Sequence, residues 1–108
     1  MDITRPFLEY LRKFVVLTDE EYQHYILPYI KVRRFGKKEV VTKANEVENY
    51  FNFVLRGMAR KYYKKGKDEI NTQISFENHI IHSQESYHSR TPSEYYIETI
   101  EPTTFVSI

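Results

Sequence analysis

The residues of this chain that could do chemistry crowd into one stretch. His79, His82 and His88 share residues 77–90 with Ser83, Gln84, Ser86, Ser89 and Arg90, and Ser93 follows closely. The spacing His79-x-x-His82 would set two imidazoles on one face of a helix, with Glu77 or Glu85 as a third metal ligand. A solvated polar loop is the simpler reading of the same residues, and no metal site is assigned. Ser83, Ser86, Ser89 and Ser93 lie near His82 and His88, yet no Gly-flanked elbow presents any of them as a nucleophile. The chain therefore shows no catalytic constellation and does not read as an enzyme. Glu46 and Glu48, the other paired carboxylates, read as solvated residues of a turn.

Composition narrows the classes further. At 108 residues the chain is long enough for one core and one domain, 1–108. Its ten Tyr and seven Phe favour strands, where rings pack across neighbours. Lys and Arg number 16 against 15 Asp and Glu, which gives no electrostatic case for nucleic acid or an anionic membrane as partner. The basic runs Lys31–Lys38 and Arg56–Lys67 read as solvated faces. Absence of cysteine excludes disulfides, thiol catalysis and cysteine metal sites. Apolar runs are short and Met1–Pro6 does not open like a signal peptide, so a soluble cytoplasmic protein is expected.

The elements that must position the polar stretch begin with helices over residues 1–29. Pro6 suits a first helical turn, and Phe7, Leu8, Leu11, Phe14 and Val15 fall on one apolar stripe. Thr18-Asp19-Glu20-Glu21 matches a capping box, so a second helix should start there. Tyr22, Tyr25, Ile26 and Tyr29 would form its apolar face, with His24 on the opposite surface, and Pro28 should end it.

Residues 30–108 read as a β-barrel. Ile30 to Phe35 and Glu39 to Thr42 are short strands about the Gly36-Lys37-Lys38 turn. Tyr50–Leu55 and Met58–Tyr63 flank Arg56-Gly57 as a hairpin, and the Gly66 turn leads to Glu69–Phe76, completing a three-strand meander. Within Tyr62-Tyr63 and Tyr95-Tyr96, adjacent rings should point to opposite faces, one core and one surface. Residues 77–90 read as a loop with one short helical turn, and Glu94–Ile100 and Thr103–Ile108 are the last strands. The final strand runs straight to Ile108, and more protein is expected beyond it.

Two helices followed by about eight short strands, with a polar insertion before the last pair, is similar to the cyclic-nucleotide-binding domain. Lys38-Glu39-Val40-Val41 resembles that family's Lys-Gly-Glu strand. Tyr50-Phe51-Asn52-Phe53-Val54-Leu55-Arg56-Gly57-Met58-Ala59-Arg60 resembles its aromatic-Val-x-x-Gly-x-aliphatic-Arg segment, and Pro92-Ser93 with Ile97–Glu101 resembles the strand that closes its pocket. The chain is similar to the sensory half of a Crp/Fnr-type transcription regulator, most of all the divergent branch common in Bacteroidetes. The resemblance implies a mainly β fold with N-terminal helices, a double-stranded β-helix or jelly-roll barrel. It also implies a small-molecule effector, a homodimer in the full-length protein, and DNA contact only through a C-terminal domain. The dimerisation helix and winged helix-turn-helix of complete members are not within these residues.

In ligand-binding members the insertion is a phosphate-binding cassette. A Gly-Glu pair holds the ribose, a short helix aims amides at the cyclic phosphate, and an Arg before Ser or Thr neutralises it. Counted from Glu69, the Gly-Glu pair falls on His82-Ser83 and the Arg-Ser pair on Pro92-Ser93. Two charge-assisted contacts are lost, each about 1.5 to 3 kcal/mol, so a micromolar affinity would weaken by about two to four decades. The expected ligand-binding residues of this degenerate cassette are His82, Ser83, Gln84 and Ser93, with Arg90 as a substitute cation. Cyclic AMP should bind poorly, leaving the site to an unidentified small anionic ligand, with no cofactor implied. A cupin-like metal-binding jelly roll is an alternative, though the chain lacks its His-x-His strand pair. A ligand-free interaction module is another.

Overall fold

The computed structural model describes residues 3–108. Pro6 lies in the first turn of α1 (Arg5–Leu11), where its missing N–H costs no helical bond, and the helix buries Phe7 and Leu8. The apolar stripe expected through Val15 stops short, because the helix ends at Leu11 and Phe14 and Val15 stand exposed. Arg12 holds the following turn: its Nε donates to the Leu17 carbonyl at 2.8 Å and Nη2 to Asp19 at 2.7 Å. The capping box forms as expected at α2 (Asp19–Glu21), with Glu21 N–H on Thr18 Oγ1 and Thr18 N–H on Glu21 Oε1. The chain then widens into a π-helical turn over Tyr22–Ile26 and tightens to a 3-10 turn over Leu27–Tyr29, which carries Pro28. That change of pitch breaks the expected apolar face. Tyr22 is buried and donates to Thr4 Oγ1, while Tyr25, Tyr29 and His24 are all exposed.

Seven strands follow: β1 (Lys31–Phe35), β2 (Val40–Thr42), β3 (Asn52–Arg56), β4 (Ala59–Lys65), β5 (Asp68–Ser75), β6 (Tyr96–Thr99) and β7 (Thr103–Ser107). They form two antiparallel sheets ordered β1-β7-β3 and β2-β6-β4-β5, a jelly roll with the polar insertion between β5 and β6. Residues 77–90 contain one short helix, α3 (Gln84–Ser89).

Alternation along the strands explains how this small barrel builds two cores. Phe53 and Val106 face α1 and Tyr22 in one cluster, whereas their neighbours Val54 and Phe105 face Ala59, Ile81 and Ile97 of the barrel interior. Sheet β1-β7-β3 is thus covered on both faces, by the helical lead-in outside and the second sheet inside. The tyrosine pairs obey the same rule. Tyr62 stacks on Tyr96 at 5.2 Å, and Tyr63 meets Tyr95 edge-on at 6.2 Å. Arg60 and Lys64 sit over the rings of Tyr62 and Tyr96.

The expected meander is half right. β4 and β5 form a hairpin around Gly66, but β3 pairs with β7 and β4 with β6, so Arg56-Gly57 carries the chain from one sheet to the other. Gly57 has φ +111°, and a Cβ there would lie 2.5 Å from both the Pro102 carbonyl oxygen and Thr103 Oγ1. Its N–H donates to Glu77 Oε2 at 2.6 Å. Gly57→Ala is expected to cost about 2 to 4 kcal/mol in urea denaturation. Gly66→Ala, whose Cβ meets nothing within 4 Å, should cost about 1 kcal/mol. Equal losses would contradict the crossing.

Candidate functional site

The mouth of the barrel is organised by a residue that reads as solvated in the sequence. Glu48 is 3% exposed. Its carboxylate accepts the Ser83 N–H at 3.1 Å and the Thr42 hydroxyl at 3.0 Å, and its own N–H donates to Ser86 Oγ at 2.8 Å. Burial raises the Glu48 pKa above the usual carboxylate range, while these hydrogen bonds and the Arg33 charge pull it down. The loop around it is pinned to the segment after α3. Asn45 N–H donates to the Ser93 carbonyl, Ser93 N–H to the Glu46 carbonyl, and Val47 bridges Pro92.

Above this network opens a cleft of about 420 Å³, lined by Lys61, residues 83–86, His88 and residues 91–95. Ser83, Gln84 and Ser93, picked out in the sequence, all lie on its wall. Ser93 Oγ donates to Ser83 Oγ at 2.6 Å and receives the Tyr95 N–H at 3.0 Å. Gln84 is exposed at the rim. Arg90 does not line the cleft. It closes α3 with a left-handed backbone, φ 57°, and its guanidinium donates to the Glu48 carbonyl and to Asn49 Oδ1 at 3.0 and 2.8 Å. It serves as a clamp on the Glu48 loop, where a substitute cation was expected.

His82 lies beneath the cleft rather than in it, 8% exposed, stacked on Tyr87 and edge-on to Phe51. Its Nδ1 is buried without a hydrogen-bond partner. Burial, then the Lys61 and His88 charges, push its pKa down to about 4. His79 and His82 do not share a helical face, since both precede Gln84, where α3 begins. His79 Nδ1 accepts the Phe76 N–H. Among the described residues no three His, Cys, Asp or Glu are gathered as a metal site.

Lys61 is the second residue that sequence reading missed. It pairs with Ile97 across β4 and β6, which turns it to the barrel interior, and its ammonium lies 4.5 Å from the Tyr95 ring centroid. Burial lowers its pKa, opposed by the Glu48 charge. Its phase with Ala59, two residues earlier on β4, is the signal that could have found it. Arg33, on β1, also turns inward and donates to Ser107 Oγ and Asn52 Oδ1 at 3.1 Å each.

No family model matches the chain, and no curated protein matches it in sequence. Solved structures do match. The catabolite activator protein of Thermus thermophilus superposes with a TM-score of 0.75 at 16% identity, over 88% of this chain and 44% of that one. A CooA variant from Carboxydothermus hydrogenoformans gives 0.67 at 24% identity, over 91% and 58%. The EAL enzyme Bd1971 in its cAMP-bound form gives 0.66 at 14%, over 72% and 21%. The fold is the cyclic-nucleotide-binding jelly roll. The chain spans less than two thirds of each of these three neighbours, and at these identities the likeness is one of fold. No helix among the described residues is long and apolar enough to cross a membrane.

His82 gives the site a pH signature. Its folded pKa of about 4 lies below its usual 6.5, so the unfolded chain takes up the proton first and stability falls as pH drops from about 6.5 towards 4. The loss is on the order of 2 to 3 kcal/mol. Glu48, with its raised pKa, acts in the opposite sense: the folded carboxyl takes up its proton first, so its protonation favours the fold as pH falls through its folded value. His82→Phe preserves the stack on Tyr87 and leaves Glu48 unchanged. Melting midpoints between pH 7 and 4 should therefore fall less steeply in the variant than in the wild type, and parallel curves would contradict the buried neutral imidazole.

Proposed function

We propose that this chain is the ligand-sensing or regulatory domain of a Crp/Fnr-like transcription regulator, with a cleft that no longer takes cyclic AMP in the usual way. The observation that carries the reading is the cleft wall itself. The position counted as the ribose carboxylate is Ser83, whose hydroxyl is bonded to Ser93 and whose N–H is taken by Glu48. The position counted as the phosphate arginine is Pro92, and Arg90 is tied to Asn49.

The jelly-roll likeness to the catabolite activator protein and the CooA variant supports the regulatory half of the proposal. In such a regulator a small-molecule effector at the cleft would bias a homodimer, and DNA would be contacted by a C-terminal domain. Catalysis is not part of this role, and the domain works in the cytoplasm without a membrane partner.

Melting in 1 mM cyclic AMP tests the ligand claim. A micromolar site would add about 4 kcal/mol at that concentration, whereas a site two to four decades weaker adds about 1.4 kcal/mol or less. A saturable rise at micromolar cyclic AMP would overturn the reading of Ser83 and Pro92. The reading frame beyond Ile108 tests the regulator claim: a heptad-spaced helix and a helix-turn-helix are expected, and a stop codon there would refute it.

A further inference from the structure

The interior of the barrel mouth carries more positive than negative charge. Arg33 and Lys61 turn inward, and Glu48 is the one acidic side chain buried among the described residues. Arg33 is held by Asn52, Ser107 and the Tyr50 ring, 3.9 Å away. Lys61 differs. The salt bridges of the described residues involve Arg5, Arg12 and Arg60, and the Lys61 ammonium makes neither an ion pair nor a hydrogen bond. Its company is the face of Tyr95 and the field of Glu48.

A half-buried ammonium without a bonded protein acceptor retains three donors for water or a ligand in the cleft. Here it lines a cleft large enough for a small metabolite. Ser93 Oγ has one proton and two acceptors in reach, Ser83 Oγ at 2.6 Å and the Tyr95 carbonyl at 2.9 Å; when that proton turns to Ser83, the Ser83 hydroxyl on the same wall has its own proton left to donate. Glu85 and Glu94 also line the cleft but are exposed at its rim, where water screens them.

We propose that Lys61 makes this cleft a binding site for a small metabolite bearing an oxyanion, its phosphate or carboxylate seated on the Lys61 ammonium and the Ser83 hydroxyl. The proposal rests on the ligand-sensing reading above and names the chemistry of that site. Charge recognition has moved from the loop after α3, where Pro92 now stands, to strand β4. The ligand need not contain a cyclic nucleotide.

Backbone amide shifts of the 15N-labelled chain test this, with glycerol 3-phosphate and citrate as the phosphate and carboxylate probes and glycerol as the neutral control. Saturable shifts at Lys61, Ser83, Ser93 and Tyr95 are expected from one or both anions and not from glycerol, and which anion acts identifies the group. Lys61→Gln should weaken that response by about tenfold or more, the size of one charge-assisted contact, while Lys61→Arg restores it. Arg34→Gln, at a separate cleft lined by Gly57 and Thr103, should leave it unchanged. An undiminished response in Lys61→Gln, an equal response to glycerol, or silence at the cleft with both anions would each overturn the assignment. An undiminished response would leave the ligand-sensing reading standing, since the cleft would still bind; that reading fails separately on the reading frame beyond Ile108.

Discussion

A buried carboxylate whose two oxygens are taken by the Ser83 N–H and the Thr42 hydroxyl is the constraint on which the mouth of this barrel depends. Glu48 draws together β2 through Thr42, the start of the α3 segment through Ser83, and α3 itself through Ser86. Arg90 closes the arrangement from the far end of α3 by donating to the Glu48 carbonyl. A carboxylate taken out of water is costly unless hydrogen bonds replace its hydration. Once those donors are in place, removing any one of them leaves a buried acceptor short, so the loop, the helix and the strand end hold one another in register.

The same network sets which polar groups at the cleft are left without a protein partner. In a barrel whose Ser83 N–H already serves an internal carboxylate, that amide is not available to an incoming anion. Glu48 also places negative charge beneath the cleft while Arg33 and Lys61 supply positive charge around it. Of these three, only Lys61 reaches the cleft wall without a bonded partner. The charges at the mouth of the jelly roll are thus arranged around one internal carboxylate.

Much of this architecture is legible in the residues. The Thr18–Glu21 capping box, the disruption at Pro28, the Gly66 hairpin and the alternating strands all follow from local chemistry that needs no tertiary context. The misreadings share a cause. A strand-Gly-strand pattern cannot distinguish a hairpin from a crossing between sheets, and Gly57 is a crossing because β3 finds its partner in β7 and β4 in β6, far along the chain. Glu48 looks like any loop glutamate until residues 83 and 86, far along the chain, supply its partners. Arg90 and Lys61 both depart from their expected places for a similar reason: which cation faces the cleft depends on sheet register and on the left-handed turn at the end of α3.

The most direct test of this account is the exchange rate of the Ser83 amide in Glu48→Ala and Glu48→Gln. If the carboxylate holds the mouth, Glu48→Ala should speed exchange at Ser83 by tenfold or more, on the scale of one buried hydrogen bond lost at about 1.4 kcal/mol per decade. Glu48→Gln, which keeps an acceptor oxygen, should preserve most of the protection, and amides of the β3–β7 ladder should be unaffected in both. Unchanged protection at Ser83 in Glu48→Ala would contradict the central place given to Glu48.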